Sequence, residues 1–491
     1  MSHICTSGAA VVVLIKIGAG ADDDCKFAPL GVLHVSTALK RAGYTTRVVH
    51  VPATEALRNE TIAAILVPPT PIAIGFSVLT GDPLRVIEAL CRELKRRAPD
   101  VPIIFGGIHP TLVPRQCLRE PFVDYVVQHD GEERGVDLVN AIVRGDLPTE
   151  IDGVGYKRSD GTIVVSNWNG THRNIDKWLP DWEAVDIERY IRPYRGCKRV
   201  LMGFMASRGC PHKCAFCYNE RYNKRLTRRM APYVAIAEIN RLAACYDLDG
   251  IFLFDDNFTV NPSWAKRVLA GISITPIQLK IRIDRTDRDL DAAMERAGVP
   301  VAFAGVESGS RATLQRMGKR YTPEAVSARF AQIAASGAYQ VKAAFIVGLP
   351  GESLAEYRET LRFIARCAAR FPIDRIAYYI GYFLPYPGTR FHDDCVSGGW
   401  ESPESLDEWA EYAPGSEMLI PWTRGRFLHS REIRKLRVLL VWMEWASRRC
   451  RVLYWLLRMR FVCSGTLLVR ALGRVENVLW WVRKRAWRRT Q

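Results

Sequence analysis

The chain has 491 residues, 48% hydrophobic and 25% charged, a globular balance that excludes a disordered or collagen-like chain. Lys and Arg number 69 against 52 Asp and Glu, and the net charge of +17 points to an anionic partner: nucleic acid, anionic lipid or an acidic substrate. The 13 Cys are too dilute for a disulfide scaffold and no run of 18 uncharged apolar residues offers a membrane span, so a reducing, cytoplasmic setting is expected.

Residues 1–19 have no basic stretch before their apolar run and read as a first strand, not a signal peptide. Ala9–Lys16 is the near-continuous apolar run of a buried parallel strand. Gly31–Ala42 has helical spacing and stops at Gly43. Strands follow at Thr45–Val51, Pro71–Leu79, Val101–Gly107 and Asp124–Gln128, with helices at Thr54–Ala64, Pro83–Arg97 and Glu132–Arg144. This alternation predicts a doubly wound, Rossmann-like parallel sheet over residues 1–145. Residues 146–195 read as a linker with a hairpin around Ser159-Asp160-Gly161.

A second αβ series starts near residue 196. Strands are expected at Val200–Ala206, Gly250–Asp255, Leu279–Asp284, Val301–Val306, Val341–Val347 and Arg375–Phe383, a partial (β/α)6 barrel over residues 196–423. In such a fold the chemistry sits at the C-terminal strand ends, and the unusual residues of this chain follow those strands. Residues 424–491 carry 18 Lys and Arg against three Glu, with six of the 13 Trp, and read as a basic helical tail. Three roles stand open for it: a helical cap on the barrel, an anionic membrane surface, or RNA.

The decisive motif is Ser207-Arg208-Gly209-Cys210-Pro211-His212-Lys213-Cys214-Ala215-Phe216-Cys217. Three thiolates at this spacing, in one loop after a strand, can hold three corners of a 4Fe–4S cube and leave one iron open to a ligand. Zinc or chance cysteines are the rival readings; zinc needs a fourth ligand, and no second Cys-x2-Cys pair is present.

This motif, with Phe216 before its last Cys, resembles that of the radical S-adenosylmethionine (SAM) superfamily. Further segments resemble that family in order: Ile251–Asn261 with Asp255 and Asp256, Gly305–Ser310 with Glu307 and Ser308, Phe345–Glu352 with Gly348, and Phe383–Thr389. Taken alone, Asp255 and Asp256 read sooner as helix-capping residues than as a metal pair, while the place of Glu307 between an apolar strand and Ser-Gly-Ser favours a site over a surface acid. The resemblance implies that Cys210, Cys214 and Cys217 ligate the cluster. Phe216, Asp255, Asp256, Glu307, Ser308 and Gly348 would then lie near the cofactors. The open iron would chelate SAM, which an electron from a flavodoxin or ferredoxin type donor cleaves to a 5′-deoxyadenosyl radical.

Residues 1–145 resemble the cobalamin-binding domain found upstream of one radical SAM subgroup. Leu30 and Gly31 open the first helix, Ser77 ends the third strand with Thr80 beyond it, and Gly106 and Gly107 follow the fourth. Small residues there let backbone approach a large flat ligand, and Ser77 and Thr80 can hydrogen-bond its nucleotide tail. Glu132 fits the subgroup's pattern after the fifth strand, where His129-Asp130-Gly131-Glu132 stands in place of Gly-Glu-Gly-Glu. The loop Ile17–Phe27 holds no His, so a histidine lower ligand to cobalt from this loop is not expected. The resemblance as a whole implies a cobalamin-dependent radical SAM enzyme methylating an unactivated carbon of a small-molecule or lipid-like substrate. Two rivals remain: an oxidative cyclase or rearrangement enzyme with the same cofactors, and an RNA-modifying enzyme. The second is disfavoured because no upstream cysteine cluster and no C-terminal β-barrel accompany the charge. A cytoplasmic enzyme, peripheral to the membrane if the tail binds lipid, is the corresponding localisation.

Overall fold

The computed structural model describes residues 10–18, 25–168, 174–412 and, near the C-terminus, 439–440, 442–443, 447 and 451–462. They fall into two compact units. One comprises Met1–His212, Cys217–Asp256 and Tyr386–Leu419; the other comprises Lys213–Phe216, Asn257–Pro385 and Ile420–Gln491.

In the first unit, β1 (Val11–Ile17) reads VVVLIKI and is buried on both faces, as a central parallel strand must be. After it come α1 (Leu30–Arg41), β2 (Thr45–Val51), α2 (Asn59–Leu66), β3 (Ala73–Ser77), α3 (Pro83–Arg97) and β4 (Ile103–Gly106). The short helices α4 (Ile108–Leu112) and α5 (Pro114–Arg119) lead to β5 (Tyr125–Val127) and α6 (Glu132–Arg144). The five strands pair in parallel in the order β2-β1-β3-β4-β5. Strand order therefore reverses between β1 and β3, where open α/β sheets bind ligands beyond their carboxyl ends. The second helix starts at Asn59, later than the expected Thr54, because Ala53–Glu55 forms a single 3₁₀ turn after Pro52.

The hairpin expected in the linker is present as β6 (Val154–Lys157) and β7 (Ile163–Val165). It adds to the sheet, β6 pairing antiparallel with β5. Beyond it lie β8 (Ile191–Tyr194), β9 (Cys197–Phe204), β10 (Ser207–Arg208), α7 (Asn219–Tyr222), β11 (Arg228–Arg229), α8 (Pro232–Tyr246) and β12 (Gly250–Leu253). β9 pairs parallel with β12 and antiparallel with β8.

The second unit runs α9 (Pro262–Gly271), β13 (Thr275–Ile281), α10 (Arg288–Arg296), β14 (Val301–Glu307), α11 (Arg311–Arg316), α12 (Pro323–Ser336), β15 (Gln340–Val347), α13 (Leu354–Arg370) and β16 (Ile376–Tyr382). β13 to β16 are parallel and hydrogen-bonded in sequence order. The six expected barrel strands are thus found as β9, β12, β13, β14, β15 and β16. Back in the first unit, α14 (Arg390–Ser397) and α15 (Leu406–Ala410) close the described chain before the tail.

Several helices of the second unit begin where side chains satisfy their free N–H groups. Asn261 accepts from Trp264 N, Asp287 from Leu290 N and Thr322 from Ala325 N, and Ser353 with Glu356 forms a capping box on α13. In the first unit, Val32 and Leu39 of α1 meet Val12 and Leu14 of β1, Ile104 of β4, and Leu138 and Val139 of α6 in one apolar cluster. Each such side chain, fully buried, contributes roughly 1.5–3 kcal/mol. The basic tail lies mostly outside the described residues, Trp480 and Trp481 included; the longest part described is a helix at Arg451–Val462. Among the described residues no helix is long and apolar enough to cross a membrane.

Candidate active site

The apolar core of the first unit is not closed. It walls a cavity of about 1230 Å³, counting its open mouth, at the point where strand order reverses. Val12 and Leu14 of β1, Val32, Val35 and Leu39 of α1, Ile104 of β4 and Val139 of α6 make its apolar wall. Protein interiors are normally filled to crystal density, so a hollow in this position is a site and not a packing fault. Small residues open it: Gly31, Gly75, Gly106, Gly107, Gly131 and Gly135 all line it. Gly107 has φ 101°, and a Cβ there would stand 3.0 Å from the Val78 carbonyl oxygen, so only glycine fits.

Of the residues singled out for cobalamin, Leu30, Gly31, Ser77, Gly106, Gly107 and Glu132 line this cavity. Thr80 does not; its hydroxyl pairs with His109 Nδ1 at 3.1 Å. His129 and Asp130, the departures from the subgroup's pattern, both face the cavity. His129 stacks on Trp168 with ring centroids 4.0 Å apart, and burial pushes its imidazole down to about 4.

The polar end of the cavity carries a charge network that includes the cysteine motif's own arginine. Arg208 pairs with Glu132 at 2.7 Å and with Asp130 at 3.2 Å, and Arg228 pairs with the other Asp130 oxygen. Both carboxylates are nearly buried, and paired arginines keep such charges affordable. Asp256 accepts from Gly209 N at 2.7 Å. Asp255 accepts from Ser207 Oγ at 2.5 Å and from Ala206 N at 3.3 Å. The two aspartates after β12 therefore hold the strand and turn that lead into the cysteine loop. Neither caps α9, whose cap is Asn261. Gly209, at φ 87°, has no room for a Cβ, which would lie 2.0 Å from the Leu226 carbonyl oxygen.

Cys210, Cys214 and Cys217 carry no disulfide; Cys214 is buried and the other two are half-buried. Among the described residues no three His, Cys, Asp or Glu side chains are already gathered as a metal-ligand set. Three thiols within eight residues, none of them in a disulfide, nevertheless suit a cluster, and Arg282 Nη1 lies 3.8 Å from Cys214 Sγ.

In the second unit the strand-end residues form a buried polar layer. Glu307 at the end of β14 has φ 70° and pairs with Lys319 Nζ at 2.9 Å. Burial, the largest single influence, would lower Lys319, but the surrounding groups, Glu307 foremost, together outweigh it and raise the ammonium above its usual range. Lys319 also lies over the Phe216 ring, 5.7 Å from its centroid. The Ser308 hydroxyl pairs with Thr360 Oγ1 at 2.8 Å. Gly348 N donates to Glu352 Oε2 at 2.7 Å, and burial pushes the Glu352 carboxyl up to about 7. Sequence reasoning missed Lys319, Arg282, Glu352 and His34. His34 could have been found, because it stands three residues after Gly31 on one face of α1.

Comparison with known proteins agrees with this anatomy. The sequence model described as "B12 binding domain" matches residues 21–139, and that of the "Radical SAM superfamily" matches residues 205–364. The chain is 26% identical over 377 residues to an uncharacterized methyltransferase of Pyrococcus horikoshii, covering 75% of this chain and 78% of that protein. It is 30% identical over 302 residues to the anaerobic magnesium-protoporphyrin IX monomethyl ester cyclase of Synechocystis sp., covering 59% of each. In fold it matches the radical SAM methyltransferase TsrM of Kitasatospora setae, with TM-score 0.65 and 15% identity over 80% of this chain and 76% of that one. With a B12 binding domain ahead of a radical SAM domain, the chain belongs to the cobalamin-binding radical S-adenosylmethionine enzymes, whose cofactors are a 4Fe–4S cluster, SAM and cobalamin.

Proposed function

We propose that this enzyme transfers a methyl group to an unactivated carbon of a small-molecule or lipid-like substrate. The carrying observation is the network at the polar end of the cavity, where Arg208 of the cysteine motif pairs with Asp130 and Glu132 of the B12 binding domain. One pair of carboxylates thereby fixes both the wall of the cobalamin cavity and the entry to the cysteine loop. Together the bound cofactors supply hydrogen abstraction from a C–H bond that no general base could deprotonate, and a methyl group for the carbon so activated.

The residues of the chain bind, orient and exclude water. Cys210, Cys214 and Cys217 would hold the cluster, with Asp255 and Asp256 anchoring Ser207 and Gly209 before them. Phe216, Glu307, Ser308 and Gly348 would flank SAM. Gly31, Ser77, Gly106 and Gly107 would admit the cobalamin, and the Val and Leu wall keeps water from it. An electron donor of the flavodoxin or ferredoxin type is the partner this chemistry requires. The likeness to a protein named as a cyclase favours a second reading, oxidation or rearrangement with the same cofactors.

The test is anaerobic reconstitution with candidate substrates and SAM deuterated in its methyl group, followed by product mass spectrometry. A product carrying the labelled methyl supports methyl transfer. A product that has lost hydrogen and gained no label supports the second reading. Deoxyadenosine without any altered substrate counts against the substrate class.

A further inference from the structure

His34 stands on the second turn of α1, 3% exposed, in the wall of the cobalamin cavity. Its Nδ1 lies 2.5 Å from the Trp178 carbonyl oxygen. A carbonyl can only accept, so Nδ1 carries the proton in that bond. Burial, with Arg208 nearby, pushes the imidazole down to about 4, which leaves the ring neutral and Nε2 without hydrogen at neutral pH. Among the described residues Nε2 is buried and has no hydrogen-bond partner. A buried acceptor without a donor is costly, and such groups in native proteins mark a missing partner.

The surroundings narrow what that partner can be. A cation would meet Arg208 and an anion would meet Glu132, which are paired with each other near the ring. A neutral N–H or O–H donor fits both. The carboxylates on the same wall, Asp130 and Glu132, are already engaged by Arg208 and Arg228. α1 contributes Leu30, Gly31, Val32, His34, Val35 and Leu39 to the lining of the cavity, so His34 shares its wall with five neighbours of the same helix. A corrinoid has amide N–H groups around its ring and along the linker to its nucleotide, and hydroxyls on the tail.

We propose that His34 is a corrinoid-binding residue, its Nε2 accepting a hydrogen bond from an amide N–H or hydroxyl of the bound cobalamin without ligating cobalt. Trp178, from the segment after the hairpin, is the positioning partner: its carbonyl selects the tautomer that leaves Nε2 open. This inference rests on the cobalamin reading and names a contact that the loop after β1, with no His, does not provide.

The test is titration of the full-length protein with aquacobalamin, read by absorbance, for the wild type, His34→Leu and His34→Gln. Gln can donate its amide to Trp178 and still present an acceptor. The Leu variant should bind about tenfold more weakly, and the Gln variant within about threefold of the wild type. The EPR spectrum of the bound Co(II) form should show no nitrogen superhyperfine splitting from the protein. If the Leu variant does not fold, His34→Phe keeps a ring in the same space and carries the same comparison. Equal affinity in all variants overturns the proposal. So does a nitrogen splitting in the wild type that vanishes on substitution, which would make His34 a cobalt ligand. A wild type that binds no cobalamin overturns the cobalamin reading itself, a result distinct from both.

Discussion

Asp255 sits 1% exposed beneath the cysteine loop, and burial raises its carboxyl from 3.8 to about 6. The folded protein therefore keeps this proton across a range in which the unfolded chain releases it. Stability must fall as pH rises from about 4 to about 6, by on the order of 3 kcal/mol, and the contribution is level above that. Asp255→Asn removes this slope. The difference in unfolding free energy between wild type and variant, measured in urea at several pH values, should change by that amount between pH 4 and 6 and not beyond. Glu307 and Lys319 make the opposite kind of site, a buried pair whose charges depend on each other. Glu307→Gln strands the Lys319 ammonium and should cost about 3–5 kcal/mol. A second change, Lys319→Met, should recover much of the loss; an additive loss would refute the coupling.

At the level of elements, the turn from β10 into the cysteine loop depends on one residue without a side chain. Gly209→Ala would push a Cβ into the Leu226 carbonyl at a backbone angle that L-residues avoid. The loop must then move, and Asp256 must release Gly209 N. Iron and sulfide bound after anaerobic reconstitution should fall to less than half of the wild-type content. Arg451–Val462 is an element of another kind. Tyr454 Oη accepts from Ile373 N, and Arg458 donates to the Ala369 and Arg370 carbonyl oxygens at the end of α13. These contacts favour the cap reading of the tail, while Val452 and Trp455 remain exposed. A chain ending at Trp422 should lose several degrees of melting temperature. Flotation with anionic vesicles should be the same for the full and shortened chains if the cap is its whole role.

For the molecule as a whole, the cavity walls and the three cysteines are different residues, although one network of arginines and carboxylates serves both. Replacing Cys210, Cys214 and Cys217 together by Ala should therefore abolish bound iron and sulfide while leaving cobalamin affinity within about threefold. Loss of both would show that the cluster holds the cavity open. Retention of iron would remove the three cysteines from the ligand set.

The order of strands, the cysteine spacing and the small residues at the strand ends were all legible in the chain, because each is a local pattern. Alternation of apolar runs with helical spacing gives the doubly wound sheet, and a thiolate triplet reads the same in any fold. Glu132 and Gly107 were found in this way, and both line the cavity. Thr80 was assigned by the same logic and instead pairs with His109, since nearness in sequence to Ser77 does not fix which way a hydroxyl turns. Asp255 and Asp256 were legible as important but not as anchors of Ser207 and Gly209, since those bonds join residues 47 and 48 positions apart. Lys319, Arg282 and His34 carried no motif. Their significance comes from burial and from the partner that each one has or lacks, and only the tertiary structure removes water from a side chain and decides which neighbours replace it.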